Sequence, residues 1–206
     1  MRGAYLLIRT LVAVAALGLV LSGCARLQTL TSGSKVNELE AENLRLKSES
    51  EAYQRLNERL QQELHDKTVQ LEQLAGGAVR VRMTDAILFD TGKADLRPEA
   101  MTTLTKVSDA LKGEYSGRRI SVEGHADPRP IATAKFPSNW ELSASRACAV
   151  ARFFEQHGMK AANIQAVGHG PYKPIAPNTT PDGMQRNRRV EIIILPAEEP
   201  QVVQPN

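Results

Sequence analysis

Arg146 stands where a charge is hard to place. With residues 142–154 taken as a helix, Leu142, Ala149, Val150 and Phe153 fall in one apolar stripe at 100° per residue, and Arg146 falls in its middle. A guanidinium stays protonated at working pH and is costly to bury without a partner. Its planar fork is suited to gripping a carboxylate through two parallel N–H donors. Polar residues also gather where other strands end or helices begin: Phe89-Asp90, Gly124-His125-Ala126-Asp127, Ser138-Asn139-Trp140-Glu141-Leu142-Ser143 and Asn187-Arg188-Arg189-Val190-Glu191. Singly, each has a plain reading. Asp127 serves as a turn residue before Pro128, Ser138 or Asn139 as a helix cap, and Arg188 or Arg189 as a solvated edge charge. Arg146 paired with Asp127 for structure alone is the plain reading of the buried charge. A catalytic reading would use His125, Asp127 and His169 as a metal or acid/base cluster. No nucleophile–base pair accompanies them, so no enzymatic activity, metal or cofactor is expected.

The elements that must position these residues alternate between strand and helix. Val79, Val81 and Met83 alternate with Arg80, Arg82 and Thr84, a half-buried strand expected to run on into Ile87-Leu88-Phe89. Pro98 opens a helix with Met101, Leu104, Val107 and Leu111 on one side, closed by Gly113. Residues 119–124 alternate again, the helix of Arg146 follows and ends at Gly158, and 163–168 and 189–195 make two more strands. The order β-α-β-α-β-β over 78–196 predicts an α/β two-layer sandwich with helices on one sheet face. The tail, 197–206, is rich in Pro, Gln and Val and reads as disordered.

Upstream, Val36, Leu39, Asn43, Leu46, Ser50, Tyr53, Asn57, Leu60, Leu64, Lys67, Leu71 and Leu74 alternate steps of three and four without Pro or Gly. That seam predicts a coiled-coil spacer over 36–75, a homodimer (or trimer) through parallel, in-register helices; a solvated single helix is the alternative. About 39 residues at ~1.5 Å each would make a rod of roughly 58 Å, ended by Gly76-Gly77. The formal charge of +3 is too small to argue for nucleic acid, there is no long basic run, and no nucleic-acid partner is expected. Residues 78–195 carry 17 basic and 12 acidic side chains, a mild excess that suits an anionic polymer. Aromatics are only 4% of the chain, so the core must be aliphatic.

The series ILFDTGKADL, VEGHAD, NWELSASRA, VGHGPYKPIAPN and NRRVEI resembles, in order and along nearly all of 78–196, the OmpA-like peptidoglycan-binding domain family. The stretch FPSNWELS, with the long loop before it, is similar to the MotB-type branch of flagellar stator proteins. The resemblance implies non-covalent binding of the peptidoglycan stem peptide, through the carboxylates of diaminopimelate. In that family the Asp of the GHTD element and the Arg of LSxxRA make the main polar contacts, here Asp127 and Arg146. By the same resemblance Leu142 and Ser143 would line the wall, Phe89, Asp90 and Asn139 the floor or rim, and Arg189 would be a second carboxylate contact. Ala126 stands where the family has Thr, Pro128 stiffens the following loop, and His169 replaces the commoner Tyr or Phe.

The N-terminus supplies an address. Arg2 and Arg9 precede an apolar run, Leu11 to Leu21, and Leu21-Ser22-Gly23-Cys24 follows. Eleven apolar residues are too few for a spanning helix, which needs about 20. They match a secretory signal peptide instead, over 1–23. The tetrapeptide LSGC resembles the bacterial lipobox, with Cys24 the acylated first residue (palmitate among its chains) of a lipidated linker, 24–35. A stator subunit would need a full apolar span bearing an acid, which this run lacks. Ala25 after the Cys is similar to lipoproteins sent to the outer membrane. The expectation is thus a periplasm-facing outer-membrane lipoprotein that links that membrane to peptidoglycan. The alternative is an envelope scaffold working with a Tol-Pal-like or motor-associated complex. Cys24→Ser should leave an unacylated precursor, and continued acyl labelling of that variant rules out the anchor.

Overall fold

The computed structural model describes residues 35–62 and 69–197. The signal peptide, the lipidated linker up to residue 34 and the tail from 198 on lie outside them. The chain divides into two compact units, 1–48 and 49–206. A helix, α1, covers 35–62, and strand β1 (Val69–Gln73) follows. Next come β2 (Val79–Thr84), α2 (Asp85–Leu88), α3 (Pro98–Glu114), β3 (Ile120–His125), α4 (Asn139–Gln156), β4 (Ile164–Gly168), α5 (Pro181–Asn187) and β5 (Arg189–Ile194). The sheet runs β1-β2-β5-β3-β4 and is antiparallel except for the β3–β4 pair.

Strand alternation sorts this sheet into two unlike faces. Val79, Val81, Met83, Ile120, Val122, Val190, Ile192 and Ile194 all point to one side. They join Leu104, Val107 and Leu111 of α3 and Val150, Phe153 and Phe154 of α4 in a single core. The other side is polar. Glu191 sits there across from Arg82 and Glu123, and three guanidiniums converge on it: Arg80 at 3.1 Å, Arg82 at 2.8 Å and Arg189 at 2.8 Å. Burial pushes the Glu191 carboxyl up, but the hydrogen bonds and charges of Arg189, Arg82 and Arg80 outweigh this and bring it to about 2. The two-layer α/β sandwich expected from the sequence is therefore present.

Three sequence expectations change. The helix expected over 36–75 does not persist, because Val69–Gln73 is an edge strand paired with β2 from Val69↔Met83 to Gln73↔Val79. Gly76 and Gly77, with φ of 73° and 79°, do not simply end a rod; they turn this hairpin, a conformation open to glycine at little cost. Second, the buried stripe of α1 within the compact unit is Glu49, Ala52, Leu56 and Leu60, offset from the expected Ser50 and Asn57 positions. Ala52, Leu56 and Leu60 join the domain core, so residues 49–62 belong to the domain and leave only the first half of α1 for a spacer. Val36, Leu39 and Leu46 of that first half are exposed. Third, Ile87-Leu88-Phe89 does not continue β2. Asp85 and Leu88, three residues apart, both turn inward in the single turn of α2, whereas a strand would send them to opposite faces.

Leu56 is fully buried. Leu56→Ala should lower unfolding stability by about 2–5 kcal/mol in urea titrations. A solvated helix position would lose a few tenths at most.

Candidate functional site

The site is assembled at the N-terminal end of α4. Ser138 caps this helix with a full capping box: its hydroxyl accepts from Trp140 N, and Glu141 accepts from Ser138 N at 2.8 Å. Two glycines let α4 lie unusually low on the sheet. A Cβ on Gly124 would sit 2.1 Å from the Ser143 carbonyl oxygen, and one on Gly168 would sit 2.7 Å from Ala144 N. Ser143 is fully buried, and its hydroxyl donates to Trp140 O and accepts from Gly170 N, tying helix to loop. Thus β3, α4 and the loop after β4 form one rigid corner.

Around that corner is a cleft of about 420 Å³, lined by Asp85, Phe89, Asp127, Asn139, Leu142, Arg146 and Arg188, with Arg129 and Ile131 from the loop between β3 and α4. Arg146 is 3% exposed. Its Nη1 donates to Asp85 Oδ2 at 3.0 Å, its Nε to the Lys93 carbonyl at 2.9 Å, and its guanidinium lies 5.1 Å from the Phe89 ring centroid. The expected partner, Asp127, is instead held by Arg129 and Arg188. Arg129 gives its backbone N at 3.0 Å and Nε at 2.9 Å, and Arg188 gives Nη1 at 2.5 Å. Asn139 donates to the carbonyls of Asp127 and Arg129, fixing the loop between them.

The electrostatics follow from burial. Desolvation pushes the Asp85 carboxyl above its usual range despite Arg146 and Arg188, and pushes Arg146 below its usual value despite Asp85. Neither partner fully repays the other. Asp85 Oδ1 has no hydrogen-bond partner among the described residues, with Arg188 Nε 3.5 Å away. Burial also pushes Asp127 up, but the hydrogen bonds from Arg129 and Arg188 outweigh it and hold that carboxyl low. Three guanidiniums against two carboxylates leave the cleft lining with one positive charge in excess.

Of the residues expected from sequence, Asp127, Arg146, Phe89, Asn139 and Leu142 are brought together here. Three are placed elsewhere. Asp90 is exposed and pairs with Lys93 at 3.0 Å. Ser143 braces the loop behind the cleft. Arg189 lies on the open sheet face, bonded to Glu191, Asn187 O and Lys173 O, and Arg188 takes the place expected of it. Strand parity carried that signal: Arg188 shares the side of Val190 and Ile192, and Arg189 that of Glu191. Asp85 was not identified from sequence, since nothing local marks an acid 61 residues away as the partner of Arg146. The grouping of His125, Asp127 and His169 that a catalytic reading would need also divides. His125 and His169 stack at 4.8 Å between ring centroids, while Asp127 turns into the cleft.

Residues 88–188 match the model of the OmpA family. Over 117 residues the chain is 39% identical to motility protein B of Bacillus subtilis (strain 168), covering 56% of this chain and 44% of that protein. It is 40% identical over 116 residues to the outer-membrane lipoprotein YfiB of Pseudomonas aeruginosa, covering 56% and 66%. Among solved structures, the cell wall anchor of the T6SS from Pseudomonas aeruginosa matches with a TM-score of 0.64 and 34% identity, covering 69% of this chain and 97% of that one. The chain spans about half the length of the first curated relatives it matches.

Asp85→Ala should cost about 3–5 kcal/mol, because it strands a buried guanidinium. The double variant Asp85→Leu, Arg146→Met should regain most of that loss in the same urea titration. A single-variant loss under about 1 kcal/mol would mean that the pair is solvated.

Proposed function

The chain belongs to the OmpA family, and on that premise we propose that it is a non-catalytic peptidoglycan-binding protein of the bacterial cell envelope. The cleft carries this reading: a guanidinium buried in an apolar stripe, held by an incompletely compensating acid, at the end of a capped helix. The ligand is the free end of a diaminopimelate side chain, which offers a carboxylate and an ammonium on one carbon. The carboxylate docks among Arg146, Arg188 and the positive N-terminal end of α4. The ammonium displaces the largely exposed Arg129 side chain from Asp127, whose carboxylate is held charged. Leu142, Phe89 and Ile131 cover the methylene stem.

Membrane attachment follows from Cys24, acylated and sent to the outer membrane, so that the protein links this membrane to the wall. A homodimer through the exposed seam of Val36, Leu39 and Leu46 would raise effective concentration at the wall without tighter single sites. Similarity to a lipoprotein named for the outer membrane and to a cell wall anchor supports this placement.

The test is co-sedimentation of the chain from residue 25 on, without the expected signal peptide and lipid, with isolated sacculi. Diaminopimelate-type sacculi should pellet it, and lysine-type sacculi, lacking the second carboxylate, should not. Asp127→Ala and Arg188→Ala should each reduce pelleting about tenfold or more, the loss of one charge-assisted contact. Equal pelleting with both sacculus types, or by both variants, overturns the assignment.

A further inference from the structure

We propose that Glu123, His125 and His169 form a divalent metal site, for Zn²⁺ or a similar transition metal, on the polar face of the sheet. The sequence led to no metal expectation, and none of these three residues lines the cleft. Glu123 and His125 are two apart on β3 and so share a face. His169 is brought beside them by the parallel register Gly124↔Gly168 and by its own N–H donating to the Gly124 carbonyl at 2.9 Å. One ligand atom from each of the three lies within 4.8 Å of the others. His169 Nε2 is 2.8 Å from Glu123 Oε2, and His125 Nε2 is 4.0 Å from the same oxygen. Zinc bonds of about 2.0–2.2 Å at tetrahedral angles place ligand atoms roughly 3.3–3.5 Å apart. The observed separations bracket that spacing, so small side-chain rotations close the site.

A second observation singles out His125. It is 2% exposed, yet neither ring nitrogen has a hydrogen-bond partner among the described residues. Native interiors rarely leave buried polar atoms in that condition, and a bound ion is one of the few remedies. Arg189 and Glu191 of β5 and Lys173 and His169 of the loop after β4 all face His125. Arg189 spends its donors on Glu191, Asn187 O and Lys173 O, and Glu191 Oε1 accepts from Arg82 and Arg189, while its Oε2 lies 4.0 Å from His125 Nε2. Glu123 and His169 are partly exposed, which gives an ion a way in and leaves a coordination position for water. Two imidazoles and one carboxylate are an established donor set for zinc.

The test is calorimetric titration of ZnCl₂ into the EDTA-treated, dialysed chain from residue 25 on, with imidazole NMR of the same sample. One zinc should bind per chain, shifting the ring resonances of His125 and His169 but not of His157. His169→Gln, at a partly exposed position, should weaken binding by about tenfold or more. Glu123→Gln should do likewise, and calcium should produce no shift. Unmoved His125 and His169 resonances, or equal zinc affinity in wild type and His169→Gln, overturns the proposal. Sacculus binding reads a different site, so its outcome and this one are separable.

Discussion

The fold of the site is organised by a charge that has nowhere else to go. Arg146 faces the core side of α4, and its guanidinium remains ionised there. Every neighbouring element contributes something to accommodate it. The one-turn α2 turns Asp85 inward, the loop after Phe89 offers the Lys93 carbonyl, and the Phe89 ring lies against the cation. This is why β2 ends at Thr84 instead of running on: an extended chain would have sent Asp85 and Leu88 to opposite sides. The pair remains poorly solvated, with both partners shifted toward neutrality by burial. Such a pair confers little net stability and is better understood as a fixed pair of charges in the wall of the cleft.

The two faces of the sheet divide the work. The helix side holds an aliphatic core in which few aromatics appear, and the cleft opens only at its edge, where α4 begins. The other side is a lattice of arginines and acids centred on Glu191, with the two stacked histidines at one end. Asp127 and His125 are two residues apart, but β3 has ended between them, so one turns to the cleft and the other to the open face.

Much of this was legible in the chain itself. The alternation of 79–84 and 189–194, the Pro98 start of α3 and the apolar stripe of α4 fixed the layers, and the sheet face that the helices cover followed from them. The family resemblance grouped Asp127, Arg146, Asn139 and Leu142, and the structure brings these four to one cleft. What escaped was long-range or depended on parity. Asp85 is joined to Arg146 only by the fold, and Arg189 was preferred to Arg188 although alternation separates them. The spacer misled for a different reason. A heptad seam and a domain-packing stripe have nearly the same period over two or three turns, so residues 49–62 read as coiled coil while serving the core. VQLEQ, too short to show a helix period, became an edge strand once a partner strand was available.

The closeness of α4 to the sheet has a consequence for the time course of recognition. Gly124 and Gly168 leave no space for even a methyl group between helix and strands. The corner therefore has no looser packing to relax into, and Ser143 bolts the adjoining loop to it. The frame of the cleft is thus set before the proposed ligand arrives, and only the exposed Arg129 side chain has to swing aside. Association should then be a single bimolecular step governed by encounter and orientation, with affinity differences among ligands expressed in how long they stay.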